Sequence, residues 1–176
     1  MTKNEIRKIK LAERDALSAG KRDELSMNIQ LEIAKKKEFA EAEVVYLYSP
    51  HRNEPDVSYI KNLSLEMGKT VCLPVTISEH EMIFQKVEQD EILHTGRRGI
   101  EEPTFDLDKE VSSKGLMLIP LVAYHDNYRL GYGGGYYDRF LAVNKNIRTL
   151  GVGYLFLQAE FETDHYDVRL DEIVAF

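Results

Sequence analysis

The chain predicts an α/β fold, a single-domain three-layer sandwich around a mostly parallel sheet, on three observations. Short apolar runs at Val44 to Tyr48, Val71 to Val75, Leu116 to Ile119 and Thr149 to Tyr154 read as buried strands. Segments with helical periodicity alternate with them, at about Val57 to Met67 and Tyr136 to Val143. A length of 176 residues with 43% hydrophobic content fits one domain with one core. Alternation of this kind puts crossover helices on the faces of a parallel sheet.

The elements follow in order. Residues 1–38 predict two helices. Thr2 and Glu5 match a capping box for the first, on which Ile6, Ile9 and Leu17 can pack. Ser18, Ala19 and Gly20 interrupt it, and a second helix runs from about Lys21 to Lys37 with Leu25, Ile29 and Ile33 at four-residue spacing. Its Lys35 to Lys37 run suits the negative end of the helix dipole. After the first two strands, Met82 to Val87 reads as a further, more exposed strand. Residues 89–113 are charged, contain Gly96, Gly99 and Pro103, and are too long for a plain connection, so they predict a mobile loop or a functional lid.

Composition excludes several roles. A net charge of −7 argues against a general nucleic-acid or membrane-surface partner, since both are polyanions. No apolar run approaches membrane length, which makes the cytosol the default location. Cys72 is the single cysteine and lies in the apolar run VCLPV, so it reads as a small buried hydrophobe, and no disulfide can form within the chain. The five histidines have no metal-ligand spacing that would suggest zinc.

The chemistry concentrates in Arg129 to Leu141, RLGYGGGYYDRFL, which holds four glycines, three tyrosines and one acid. Gly131, Gly133, Gly134 and Gly135 let the backbone approach a ligand and aim successive N–H groups at it. Arg129 adds a planar cation suited to a phosphate oxygen. Tyr136, Phe140 and Val143 then fall at helical spacing, so a helix N-terminus is offered to the same anion. Asp138 in the first turn would repel a phosphate unless a divalent cation bridges the two, and the local expectation is a magnesium nucleotide. The segment lacks the lysine and Ser/Thr of a P-loop, and Tyr136 stands at the third glycine of a Rossmann fingerprint. A glycine-rich turn between strand and helix is the plainer alternative.

Three polar segments fall at the carboxyl ends of expected strands, where open α/β sheets bind ligands: Ser49 to Asp56, His125 to Gly135, and Gln158 onward. In the last of these, HYDVRLDE supplies Asp167 and Asp171 as possible second carboxylates for a hard cation. Lys3, Arg7, Lys10 and Arg14 recur along one face of the first helix. Taken alone, that stripe reads as a solvent-facing surface paired with Glu5 and Glu13.

The order of these motifs resembles the 5-formyltetrahydrofolate cyclo-ligase family over nearly the whole chain. The resemblance rests on KNEIR at Lys3 to Arg7, Ser49 to Asp56 with Glu54, GIEEP at Gly99 to Pro103, RLGYGGGYYDRFL, and Gln158 followed by HYDVRLDE. It implies a fold similar to the ribose-phosphate isomerases and CoA transferases. It also implies ATP-dependent closure of 5-formyltetrahydrofolate to 5,10-methenyltetrahydrofolate, with Mg2+ and with ATP and a reduced folate as partners, in a monomer. On the resemblance, ATP is contacted by Lys3, Arg7 and the stretch Arg129, Leu130, Gly131, Tyr132, Gly133, Gly134, Gly135, Tyr136 and Tyr137. The folate is contacted by Tyr48, Glu54 and Tyr132 to Tyr136, and magnesium by Asp138 and Asp167. Arg129, Tyr136 and Tyr137 become the candidates for direct participation in the reaction. Leu121 and Tyr124-His125 depart from the family's usual glycine and Phe-Asp, and predict a reshaped wall beneath the glycine loop. Two other readings keep the nucleotide loop: an ATP-dependent paralogue for another formamide or carboxyl compound, and a non-catalytic nucleotide- or folate-binding module.

Overall fold

A computed structural model describes residues 1–176. Helix α1 (Lys3–Asp15) opens with the expected reciprocal cap: the Thr2 hydroxyl accepts from the Glu5 amide at 3.2 Å and the Glu5 carboxylate accepts from the Thr2 amide at 2.7 Å. Ser18 is the N-cap of α2 (Ala19–Ala34) and accepts from the Lys21 amide, so the interruption is itself the start signal and the helix begins before Lys21. The second helix ends before the lysine run, and Lys37–Glu41 forms a separate short α3 that buries Phe39. Ile6 and the α2 residues Ile29 and Ile33 are buried, but Ile9 is exposed.

The chain continues as β1 (Val44–Tyr46), α4 (Ser58–Glu66), β2 (Thr70–Thr76), β3 (Met82–Lys86), β4 (Leu93–Thr95), β5 (Glu101–Pro103), β6 (Gly115–Pro120), β7 (Ala123–His125), β8 (Tyr128–Leu130), α5 (Tyr136–Val143), β9 (Ile147–Gly153) and β10 (Glu172–Ala175). Six strands form one sheet in the order β10-β9-β6-β1-β2-β3, parallel throughout except for β3. Alternating side chains feed two cores. Val45, Leu47, Val71, Leu73, Leu116 and Leu118 face α2 and α4, while Tyr46, Cys72, Met117 and Ile119 face Phe140 and Leu141 of α5. The three-layer sandwich follows from that alternation. Cys72 is fully buried, and burial pushes its thiol up to about 12.

One expectation about the middle of the chain changes. Strand β3 is not the more exposed strand its composition suggested: Met82, Ile83, Phe84 and Gln85 are buried. Its outer edge is covered by the following segment, where the Val111 amide donates to the Phe84 carbonyl at 2.8 Å. The Gln85 side chain donates to the Thr104 carbonyl and accepts from the Asp106 amide. Covering an edge satisfies its open backbone groups and permits apolar side chains on both faces. Residues 89–113 contain the antiparallel hairpin of β4 and β5 and a 3₁₀ turn at Leu107–Lys109, and they are anchored where the Thr76 amide donates to the buried Glu102.

Strand order explains where a ligand can enter. From β1 the chain moves to β2 on one side and later crosses to β6 on the other. That reversal leaves a crevice at the carboxyl ends of β1 and β6, the usual ligand position in open parallel sheets. The hairpin of β7 and β8 rises from the end of β6, and α1 packs on it through Ile6 against Ala123, Leu130 and Phe161.

Candidate active site

The crevice is a cavity of about 500 Å³, a size suited to a small-molecule site. Every residue assigned by resemblance to ATP, folate or metal lines it, from Lys3 and Arg7 through Tyr48 and Glu54 to Arg129–Asp138 and Asp167. They come from α1, the loop after β1, the glycine loop and the segment after β9, regions far apart in the chain. Ser49 to Asp56, the glycine loop and the stretch after Gln158 meet there as their positions at strand ends required. Ser49, Arg98, Glu102 and Asp164 also line the cavity, beyond the residues that the resemblance assigns to a ligand. Asp164 lies three residues before Asp167, a spacing that was legible; Glu102 lies in the GIEEP motif, but its place on the cavity follows only from the fold of the hairpin over β2.

The glycine loop links β8 to α5. Gly135 is the helix N-cap at φ 66°, in the left-handed region, and no side chain caps the helix. Its first N–H groups therefore remain available to a ligand. At Gly131 an added β-carbon would lie 2.6 Å from Arg129 Nη1, so a side chain there would displace that guanidinium from its place under the loop. Arg139 donates to the carbonyls of Gly134 and His80, both at 2.6 Å. The Tyr136 hydroxyl hydrogen-bonds to the carbonyls of Ser78 and Glu79, at 3.2 and 2.7 Å. Those bonds brace the loop against the turn after β2 and engage the Tyr136 hydroxyl. Tyr137, by contrast, has no protein partner for its hydroxyl, and its ring lies under the Arg129 guanidinium, 4.9 Å from the centroid. Burial raises the Tyr137 pKa, with the Arg129 charge opposing.

The charges around the loop are arranged in pairs. Arg129 Nη2 donates to Asp138 Oδ2 at 3.1 Å, and Asp138 Oδ1 accepts from the Val168 amide at 3.2 Å. The buried Nε of Arg129 has no partner, an orphaned donor at the cavity wall. Lys3 Nζ donates to Asp164 at 2.7 Å and to Asp167 at 2.6 Å. Burial opposes the Lys3 charge, but the two acids outweigh it and raise the lysine's pKa. Arg7 Nε donates to the Gly131 carbonyl at 2.8 Å. Lys10 reaches the Phe156 carbonyl, and Arg14 is fully buried. The stripe thus packs against the protein, with Lys3 and Arg7 at the cavity, and the solvent-facing reading of it is corrected, although Lys10 does pair with Glu13: the facing elements supply carbonyls and carboxylates that the helix alone could not predict.

No group of three or more His, Cys, Asp or Glu side chains clusters tightly enough to cage a metal. Asp138 and Asp167, with Asp164 beside them on the same cavity, are hard oxygen donors. This suits Mg2+, which takes one or two carboxylates and completes its shell with water and substrate phosphates.

At the opposite end Glu54 is 4% exposed, and burial raises its carboxyl to about 7 against the opposing charge of Arg14. Its Oε2 accepts from the His51 amide at 2.9 Å. The Tyr48 hydroxyl donates to the Pro55 carbonyl at 2.8 Å, which fixes the loop and leaves the Tyr48 ring as the surface toward the cavity. Leu121 is accommodated without closing the crevice: it fills the space over Gly151 and Gly153, where a β-carbon on Gly153 would meet it at 2.5 Å.

Comparison with known proteins agrees with this geometry. The model of the 5-formyltetrahydrofolate cyclo-ligase family matches residues 1–175. The 5-formyltetrahydrofolate cyclo-ligase of Mycoplasma pneumoniae is 34% identical over 179 residues, covering 99% of this chain and 98% of its own. That of Haemophilus influenzae is 28% identical, covering 98% and 94%. Among solved structures, the 5,10-methenyltetrahydrofolate synthetase of Aquifex aeolicus superimposes with a TM-score of 0.85 at 31% identity, covering 99% of this chain and 90% of that one. The corresponding Mycoplasma pneumoniae structure gives 0.77 at 30% identity, covering 99% and 98%. With its length, its fold and its motifs in agreement, the chain belongs to the 5-formyltetrahydrofolate cyclo-ligase family and is a ligase.

Proposed function

We propose that the protein closes 5-formyltetrahydrofolate to 5,10-methenyltetrahydrofolate at the expense of ATP, as a monomer in the cytosol. The observation that carries the reading is the two-ended cavity: an uncapped helix N-terminus with arginine, lysine and two acids at one end, and a buried carboxyl group at the other.

In the reaction the formyl oxygen attacks the γ-phosphorus and the bond to ADP breaks. The N10 amine then adds to the formyl carbon and loses its proton, and phosphate leaves with the former formyl oxygen. This chemistry asks for positioning and charge neutralisation more than for a protein nucleophile. The backbone N–H groups of Gly133 to Tyr137 and the Arg129 guanidinium would take phosphate oxygens. Lys3 and Arg7 extend the cationic wall. Glu54 would accept N–H donors of the pterin, beside the Tyr48 ring. Tyr137 is the better placed of the two tyrosines to donate to the transferred group, since the Tyr136 hydroxyl is engaged with backbone carbonyls. Asp138 and Asp167 would hold Mg2+, which when bound neutralises phosphate charge and polarises the phosphoryl group.

The test is the near-ultraviolet absorbance of methenyltetrahydrofolate after mixing protein, 5-formyltetrahydrofolate, ATP and Mg2+. A rise that requires both ATP and Mg2+ is expected. A protein that binds ATP but gives no rise with this folate would assign the site to another substrate.

A further inference from the structure

Helix α1 enters the site twice. Lys3 and Arg7 lie at the glycine loop, and Arg14, further along the same helix, is wholly buried beside Glu54. Arg14 Nε donates to the Arg52 carbonyl at 2.8 Å and Nη1 to the Leu121 carbonyl at 3.2 Å. Nη2 donates to the Tyr132 hydroxyl, and Nη1 lies 3.9 Å from Glu54 Oε1. The Tyr132 hydroxyl and the Glu54 carboxyl group also influence each other's ionisation. One guanidinium therefore joins the loop after β1, the end of β6 and the glycine loop, the three segments that form the Glu54 end of the cavity. Burying an arginine is costly, and an apolar side chain of similar volume would pack these segments as well or better. Its presence calls for a reason in the site.

We propose that Arg14 is a positioning residue for the folate: it holds the Glu54 carboxylate and the Tyr132 hydroxyl in the arrangement that receives the N–H donors of the pterin ring. The proposal deepens the cyclo-ligase reading and rests on Glu54 as the pterin acceptor. An ionised carboxylate offers acceptors only, whereas a protonated one turns a donor toward the ring's own donors. Glu54 has little solvent to keep it ionised. The groups that face it are Arg14 from α1, the His51 amide of its own loop, Arg129 from β8, Tyr132 and Tyr137 from the glycine loop and α5, and Tyr48 and Tyr154 from the ends of β1 and β9. Of these influences, Arg14 is the largest opposing the effect of burial. Because Arg14 shares α1 with Lys3 and Arg7, a shift of that helix would move both ends of the cavity together.

The experiment measures KM for 5-formyltetrahydrofolate and for ATP as functions of pH in Arg14→Lys, Arg14→Gln, Tyr132→Phe, Glu54→Gln and the Arg14→Lys/Glu54→Gln double variant. In the parent, folate KM falls as pH rises through about 7, where Glu54 ionises. Arg14→Lys keeps charge but loses the planar fork. It is expected to move that inflection upward and to raise folate KM about tenfold at neutral pH, with ATP KM within about twofold. Tyr132→Phe moves folate KM in the same direction, and in the Glu54→Gln background Arg14→Lys adds nothing. Parental folate KM and an unmoved inflection in both Arg14→Lys and Tyr132→Phe would overturn the proposal, whether or not Arg14→Gln folds. Parental folate KM in Glu54→Gln would instead remove the pterin role of Glu54 on which it rests.

Discussion

Asp138 is held on both oxygens, by Arg129 on one side and the Val168 amide on the other, so its carboxylate is oriented before any ligand arrives. Replacing it with Asn keeps the shape and removes the charge that draws a cation. Asp138→Asn is expected to raise the Mg2+ concentration needed for half-maximal turnover by at least about tenfold while leaving the far-ultraviolet circular dichroism unchanged; an unaltered Mg2+ titration would take Asp138 out of the metal site. Glu54 presents the opposite situation, a carboxyl group whose folded pKa lies near 7 because burial penalises its charge. With a folded pKa above the unfolded one, its contribution to stability is fully present below the ordinary carboxylate range and is lost as pH rises toward 7. The stability of the parent relative to Glu54→Gln should therefore decline between about pH 4.5 and 7, by an amount on the order of 3 kcal/mol. Denaturant unfolding of both proteins across that range measures it, and a constant difference would show that Glu54 is as easily ionised folded as unfolded.

Elements were more legible than their contacts, for a physical reason. The capping box at Thr2 and Glu5 is a local pattern, and the helix starts where it says. The alternation of apolar runs is local too, and it located each parallel strand of the central sheet except the short last one. What the local pattern lacked was the facing surface. Arg14 reads as one more cation on a polar stripe until the end of β6 and the loop after β1 close around it, and Met82 to Gln85 read as exposed until residues 104–111 lie along their edge. The motif residues were less subject to this limit, because glycine, arginine and acid at fixed spacing carry their chemistry with them, and they line one cavity. The cap also ties element to function, since the first turn that it secures holds Lys3. Thr2→Ala should cost about 1 kcal/mol of stability and raise KM for ATP, while Thr2→Ser restores both. An unchanged KM in a destabilised Thr2→Ala protein would separate the cap from the nucleotide.

On the scale of the whole molecule, the site is the place where the two ends of the chain are joined. Lys3 pairs with Asp164 and Asp167, Arg7 holds the Gly131 carbonyl, and Lys10 holds the Phe156 carbonyl. The Leu155 amide in turn donates to the carbonyl of the final residue, Phe176. A ligand seated between α1, the glycine loop and residues 164–167 therefore bridges segments that separate only when the fold as a whole opens. Unfolding is expected to be a single transition, with Mg2+ and ATP stabilising the entire domain and not one part of it. At a free nucleotide concentration about a hundredfold above Kd, the gain is about 2.7 kcal/mol, which raises Tm by roughly 5–10 °C for a chain of this size. Calorimetry with and without Mg2+ and ATP tests this directly. Two resolved transitions of which only one responds would mean that α1 docks independently of the sheet, and a shift that persists undiminished in Asp138→Asn would place the nucleotide's metal elsewhere.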